Sequence, residues 1–272
     1  YRPGTRMPSG YPEGKSTVTD VYAGDQHKQI AAMWSFLSKG DKGGVPEGIT
    51  GGMIELRPDD RPVIYRNFIE GVSPRGIAVG YPEKVNLCWD ADQFRLALIW
   101  QDRFLDASKH WVGRGQGNQT PLGGNPVSFE QVAPIAVLAD PSQVWPTDAP
   151  RERGYRFLGY RLDERGRPSF RYQLPGATVE DKFLPITGEV TSTLAREISI
   201  LPTDEVAGQR LYFRAAAGEI QPLSDGQYRL NQSVVIHLET DGAESVLRGS
   251  GGNSELLVPV KGKTTIRQEI IW

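Results

Sequence analysis

Beyond Gly52 the chain is built from short apolar runs with a period of two, and that spacing decides most of what it can fold into. "RPVIYRNFI", "GIAVGY", "VNLCWDA" and "FRLALIW" succeed one another between Pro, Gly and Asp. Each has the length of a strand and the β-branched and aromatic content of one. "ISILP", "QRLYFRA", "SVVIHLE", "ELLVPV" and "TTIRQEIIW" carry the series to Trp272. Between the two groups, "YRFLGYRL" and "RPSFRYQL" flank "DERG", Asp163 to Gly166, a hairpin whose glycine suits a left-handed turn position. Many close-spaced strands without interleaved amphipathic helices predict a mainly β protein, with an antiparallel β-sandwich over residues 53–272. Alternation within "FRLALIW" assigns Phe94, Leu96, Leu98 and Trp100 to one face, and Arg95, Ala97 and Ile99 to the other. In the final run Ile266, Ile270 and Trp272 share a face, which makes Trp272 a core or sheet-closing residue.

Ahead of this series the period is 3.6. In "DQHKQIAAMWSFLSK", Asp25 to Lys39, residues Ile30, Met33, Trp34 and Leu37 fall at i, i+3, i+4 and i+7 and form one apolar stripe. Asp25 suits the N-cap, Lys39 the negative end of the helix, and Gly40 a left-handed stop. "GDKGGVPEGITGG", Gly40 to Gly52, is glycine-rich, polar and aperiodic, as a linker is. The expected organisation is a short helical N-terminal segment, residues 1–50, followed by the sandwich, 53–272.

Composition removes several function classes. Lys and Arg number 31 against 33 Asp and Glu, so no bulk charge favours nucleic acid or an anionic membrane surface. No apolar run approaches the roughly 20 residues of a membrane-spanning helix. The single cysteine, Cys88, excludes an internal disulfide and a Cys-rich zinc site; beside Trp89 in a strand it reads as a small buried hydrophobe. His27, His110 and His237 are scattered, which argues against a histidine metal cluster.

The loop "TRMPSGYPEG", Thr5 to Gly14, presents Met7 ahead of the helix. An adaptable thioether there either fills a gap against the helix or serves as a soft ligand for haem iron. "TRMPSGYPEGKS…DVYAGDQHKQIAAMWSFLSKG" resembles the C-terminal half of a class I c-type cytochrome domain, in which an R-M-P loop gives the axial methionine and a last helix crosses the haem crevice. The resemblance implies Met7 as a haem axial ligand and a cytochrome core facing Ile30, Trp34 and Leu37. The family's Cys-x-x-Cys-His motif is missing from this sequence, so haem c requires an upstream segment or a partner chain, and the chain alone holds no covalent haem. The stretch 53–185 resembles an uncharacterised β-rich module that accompanies c-type cytochrome domains in large secreted proteins of planctomycete-type bacteria, often beside sugar-dehydrogenase-like propellers. That likeness implies a periplasmic or extracellular setting, with a haem-bearing redox partner or a carbohydrate as the partner class.

Within the β region the richest stretch is "WQDRFLDASKHWVGRGQGNQTPLGGN", Trp100 to Asn125. Trp111 and His110 beside Arg103, Arg114, Asn118 and Gln119 are what a sugar ring asks for, an aromatic face ringed by polar groups. The competing reading has Trp111 plugging the sandwich end and the charges paired at the surface. Asp102 and Asp106, with Asp90 and Asp92 behind them, are candidates for a glycosidase acid/base pair, though acid residues are too common for sequence to select a pair. "GRGQGN" lacks the context of a phosphate loop, and no G-x-S-x-G element is present. Three function classes follow as expectations: a binding or docking module of an electron-transfer or sugar-oxidising assembly, a carbohydrate-active or glycan-binding domain, and a structural subunit.

Overall fold

The computed structural model describes residues 18–39, 52–111, 117–188, 192–203, 210–224, 226–250 and 253–272. The Met7 loop and most of the expected linker lie outside the described residues. A 3-10 turn, Tyr22–Gly24, leads into helix α1, Gln26–Lys39. Next come strands β1 (Glu55–Leu56), β2 (Val63–Arg66), β3 (Gly76–Gly80), β4 (Val85–Asp90), β5 (Arg95–Gln101) and β6 (Leu105–Asp106). The one-turn helix α2 (Ser108–Trp111) precedes β7 (Gly124–Ser128), β8 (Ile135–Leu138), β9 (Arg156–Leu162) and β10 (Pro168–Leu174). Then follow β11 (Ala177–Ile186), β12 (Thr193–Pro202), β13 (Arg210–Gly218), β14 (Ile220–Pro222) and β15 (Gln227–Leu230). The chain ends with β16 (Val234–Thr240), β17 (Val246–Ser250), β18 (Asn253–Val260) and β19 (Thr264–Ile271).

These strands form a five-stranded sheet in the order β2-β3-β4-β5-β7 and an eight-stranded sheet in the order β14-β15-β16-β19-β12-β11-β10-β9. A four-stranded sheet, β17-β18-β13-β8, and a short β1-β6 ribbon complete them. The strand pairs are antiparallel, so the fold is mainly β and sandwich-like, with one helix near the N-terminal end of the described chain. The main core joins Val79, Leu87 and Trp89 of the five-stranded sheet to Phe170, Phe183 and Ile198 of the eight-stranded sheet. Phe213 and Val258 bring the four-stranded sheet into the same core. Trp89 lies flat on Phe170, with ring centroids 4.6 Å apart and planes within 1°. The "DERG" turn forms as its sequence requires: Gly166 has φ +79°, and the Asp163 carboxylate accepts the amides of Arg165 and Arg167, each at 2.9 Å. Trp272 packs against the main core and its indole N–H donates to the Asn125 carbonyl at 2.9 Å.

The face assignment within "FRLALIW" is corrected. Phe94 and Leu96 enter the main core, but Leu98 and Trp100 enter a second cluster with Ile69, Cys88, Phe104 and Leu105 on the opposite face of the sheet. Ile99, expected opposite Leu96, instead shares its core. Trp89 pairs with Leu96 and Cys88 with Leu98, so Ala97 is an extra residue in β5 and the alternation changes phase there. Cys88 is fully buried, and burial pushes its thiol well above the ordinary range.

Among these apolar layers stands a charged pair. Arg196 of β12 donates to both carboxylate oxygens of Asp181 of β11, at 2.9 and 2.8 Å, and both residues are buried. The Trp89 indole N–H donates to Asp181 at 3.2 Å, and Gln268 accepts from Arg196 at 3.4 Å while donating to the Ala215 carbonyl at 2.9 Å. The guanidinium carbon sits 5.4 Å from the Phe183 ring and 5.6 Å from that of Phe213. Removing one partner leaves the other charge stranded in a dry core. Asp181→Leu should therefore destabilise the protein by about 3–5 kcal/mol in urea titrations followed by tryptophan fluorescence. The double variant Asp181→Leu/Arg196→Met should be less destabilised than Asp181→Leu alone, because no lone guanidinium remains.

Candidate functional site

Trp100 organises the segment that the sequence marks as richest. Its indole N–H donates to the carbonyls of Arg103 and Phe104, at 3.0 and 3.2 Å, which folds the chain sharply after β5. Phe104 stacks on Trp100 with planes 2° apart and fills the space where a side chain on Gly80 would stand. Between them Asp102 takes a left-handed φ of +67°, its amide donating to the Lys84 carbonyl at 2.8 Å. Asp102 and Arg103 thereby reach the surface, where with Glu55, Arg57, Asp59 and Lys84 they line a groove of about 600 Å³.

The Arg103 guanidinium donates to both oxygens of Glu55, at 2.9 and 3.0 Å, and to the Met53 sulfur at 3.4 Å. Hydrogen bonding from Arg103 holds the Glu55 carboxyl down at about 2, against an ordinary value of 4.5. Glu55 is thus ionised at any neutral pH and cannot serve as a proton donor. The aromatic residues behind the groove, Tyr81 and Phe104, are fully buried and present no face for a sugar to stack on.

The remaining sequence candidates divide. Asp106 is a tie between elements: its carboxylate accepts the amides of Ile54 at 2.9 Å and Ser108 at 2.8 Å, and the Ser108 hydroxyl at 2.9 Å. Burial opposes its charged form, yet those hydrogen bonds outweigh it and keep the carboxyl below its ordinary value, the reverse of what a catalytic acid needs. Asp90 is buried and accepts from Ser73 of the β2–β3 loop and from Asp92 and Gln93 of the β4–β5 turn, while Asp92 pairs with Arg75 at 3.5 Å and Arg151 at 2.8 Å. Asn118 is exposed and its carbonyl accepts from Lys109 at 2.8 Å. Gln119 is buried, and its backbone bridges Phe68 and Glu70. His110 and Trp111 close α2, with their side chains outside the described structure; Arg114 and Met7 are outside the described residues altogether.

The groove therefore gathers Asp102 and Arg103 but not Asp106, Asn118 or Gln119; Asp106 and the Gln119 backbone tie elements together, and Asn118 stands exposed elsewhere. Glu55 is the member that sequence reasoning missed, and no local signal marks it, because it lies 48 residues before the arginine it clamps. Among the described residues no group of three or more His, Cys, Asp or Glu is placed to hold a metal ion, and no helix is long and apolar enough to cross a membrane. What the groove offers is a mixture of charges in which the Arg103–Glu55 pair is held in place.

Two outcomes test this geometry. Added to Gly123, a Cβ would lie 1.8 Å from the Gln101 carbonyl oxygen, whereas at Gly124 it would meet nothing within 4 Å. Gly123→Ala should cost about 3 kcal/mol in urea unfolding and Gly124→Ala little, since overpacking against backbone has no flexible partner to yield. For Glu55 the folded pKa is depressed, so its contribution to stability is complete above about 4.5 and is lost as pH falls toward about 2. The gap in melting temperature between the protein and Glu55→Gln should be constant above that range and close below it. No protein-family model matches the chain, and no curated protein matches it.

Proposed function

We propose that the chain is a binding or docking module of a non-cytoplasmic electron-transfer or sugar-oxidising assembly, its N-terminal helix being the last helix of a c-type cytochrome domain. The observation that carries this reading is the apolar face of α1. Ile30, Met33, Trp34, Phe36 and Leu37 are 41, 49, 71, 51 and 69 % exposed. The helix is capped as its sequence requires, the Lys28 amide donating to Asp25 at 3.1 Å, but it has only 14 residues. Helices of about 12–15 residues are marginal in water without tertiary packing. Full burial of each large apolar side chain is worth about 1.5–3 kcal/mol, so this face gains most of its stability from a partner surface. The resemblance of residues 5–40 to the end of a cytochrome domain supports one identity for that surface: the upstream half of such a domain, supplied by the same gene or by another chain.

A haem would be held there by Met7 and by groups that this sequence lacks; within the β region Cys88 is buried and suited to packing, not to thioether attachment. When bound, the haem supplies one-electron chemistry. The β body contributes surfaces. Its acidic candidates Asp90 and Asp106 are committed to turns, and Glu55 is pinned by Arg103, which favours binding over acid–base hydrolysis.

The test is the coding sequence upstream of Tyr1 together with the absorbance of the full gene product made in a host that attaches c-type haem. The reading expects a Cys-x-x-Cys-His motif there, or a haem-bearing chain that co-purifies, and a Soret band. Replacing Trp34 and Leu37 with serine should then lower haem retention and leave the unfolding of the β body within about 0.5 kcal/mol, as for exposed positions. Neither motif nor haem-bearing partner would end the proposal.

A further inference from the structure

A cavity of about 120 Å³ opens where β5, β12, β13 and β19 converge. Arg95, Arg196 and Arg214 are among its lining residues, and Glu130 is the acid among them. The other acids that pair with these cations, Asp90, Asp181 and Glu255, do not line the space. The lining therefore holds three cationic residues and one acid, although every guanidinium has a partner.

Arg95 gives the second, independent observation. It is 3 % exposed, and one terminal nitrogen donates to the Phe129 carbonyl at 2.9 Å. Its Nε–H, fully buried, meets no acceptor among the described residues. An unmet donor on a charged group is costly, and the protein itself leaves Arg95 the least satisfied of the three cations. The third observation is the pairing of Arg214. Glu255, 5 % exposed, holds one of its terminal nitrogens at 2.6 Å, while Glu130, 45 % exposed, holds the other at 2.8 Å. Glu255 is fixed; Glu130 is at the mouth and free to swing into water. A bulge in β13 between Arg214 and Ala216 borders the same space, a device that re-aims side chains at sites.

We propose that this cavity binds a small oxyanion, carboxylate or phosphate, which takes the place of Glu130 on Arg214 with Arg95 and Arg196 in the surrounding wall. A dry cavity of about 150 Å³ holds benzene, so this volume accommodates a group the size of acetate or phosphate. Guanidinium forks match either oxyanion in bidentate fashion. The site belongs to the β body alone and stands or falls apart from the cytochrome reading.

Isothermal titration of the full chain with sodium acetate, and separately with inorganic phosphate, at an ionic strength fixed by sodium chloride, provides the test. Saturable one-to-one binding of either anion is expected. Preference for acetate identifies a carboxylate ligand and preference for phosphate a phosphoryl one. Glu130→Gln, which removes the competing charge at a half-exposed position, should tighten binding by about tenfold, or roughly 1.4 kcal/mol. Arg95→Met should weaken it at least as much. Absence of saturable binding in both the protein and Glu130→Gln overturns the proposal, as does binding that Glu130→Gln leaves unchanged or weaker, whether or not Arg95→Met folds.

Discussion

The Arg196 guanidinium sits where the three larger sheets come together, and its charge dictates what may surround it. Asp181 neutralises it from the neighbouring strand, Trp89 reaches that carboxylate from the five-stranded sheet, and Gln268 links the guanidinium to the backbone of the four-stranded sheet at Ala215. A buried pair of this kind adds little net stability over an apolar substitute, because both ions lose their water. Its effect lies in register. Arg196 stands opposite Gln268 on β19 and opposite Phe183 on β11, one place along from Asp181 in the inward row. A one-residue slip between β11 and β12 would turn Asp181 outward and leave a bare cation among phenylalanines, so alternative pairings are penalised far more heavily than apolar strands alone would penalise them.

That network is written in the chain's own alternation. Asp181 falls between Val179 and Phe183, Arg196 between Leu194 and Ile198, and Gln268 between Ile266 and Ile270, each polar residue in the phase of an inward apolar row. A charged residue on the core parity of a strand signals a buried partner, and two such residues of opposite sign signal each other. The strands, the "DERG" hairpin, the Asp25 cap and the burial of Cys88 were legible for a similar reason, since each depends on neighbours within a few positions. The phase change in β5 was not, because nothing in "FRLALIW" distinguishes a regular alternation from one with an extra alanine; only the partner strand makes the difference. Glu55 and the arginines of the cavity escaped notice because they are assembled from remote strands.

The two sites also differ in how their charges are spent. In the surface groove Arg103 and Glu55 satisfy each other in a two-pronged clasp, and solvent screens what field is left. At the cavity Asp90, Asp181 and Glu255 are not among the lining and Glu130 is the one acid that is, so the local balance there depends on a single half-exposed carboxylate. Which carboxylates line a space thus matters more than the nominal balance of positive and negative side chains.

The extra alanine in β5 has a consequence for how length variation is tolerated. Because Ala97 switches which hydrophobic layer receives the following side chains, the strand behaves as two half-strands spliced out of step. Deleting that one small residue would leave Leu96, Leu98, Ile99 and Trp100 in plain alternation on the layers they already occupy, because Trp89–Leu96 and Cys88–Leu98 are already successive pairs. Ala97, chemically the plainest residue in its strand, is thus the one the strand can lose without turning any other side chain to a new layer.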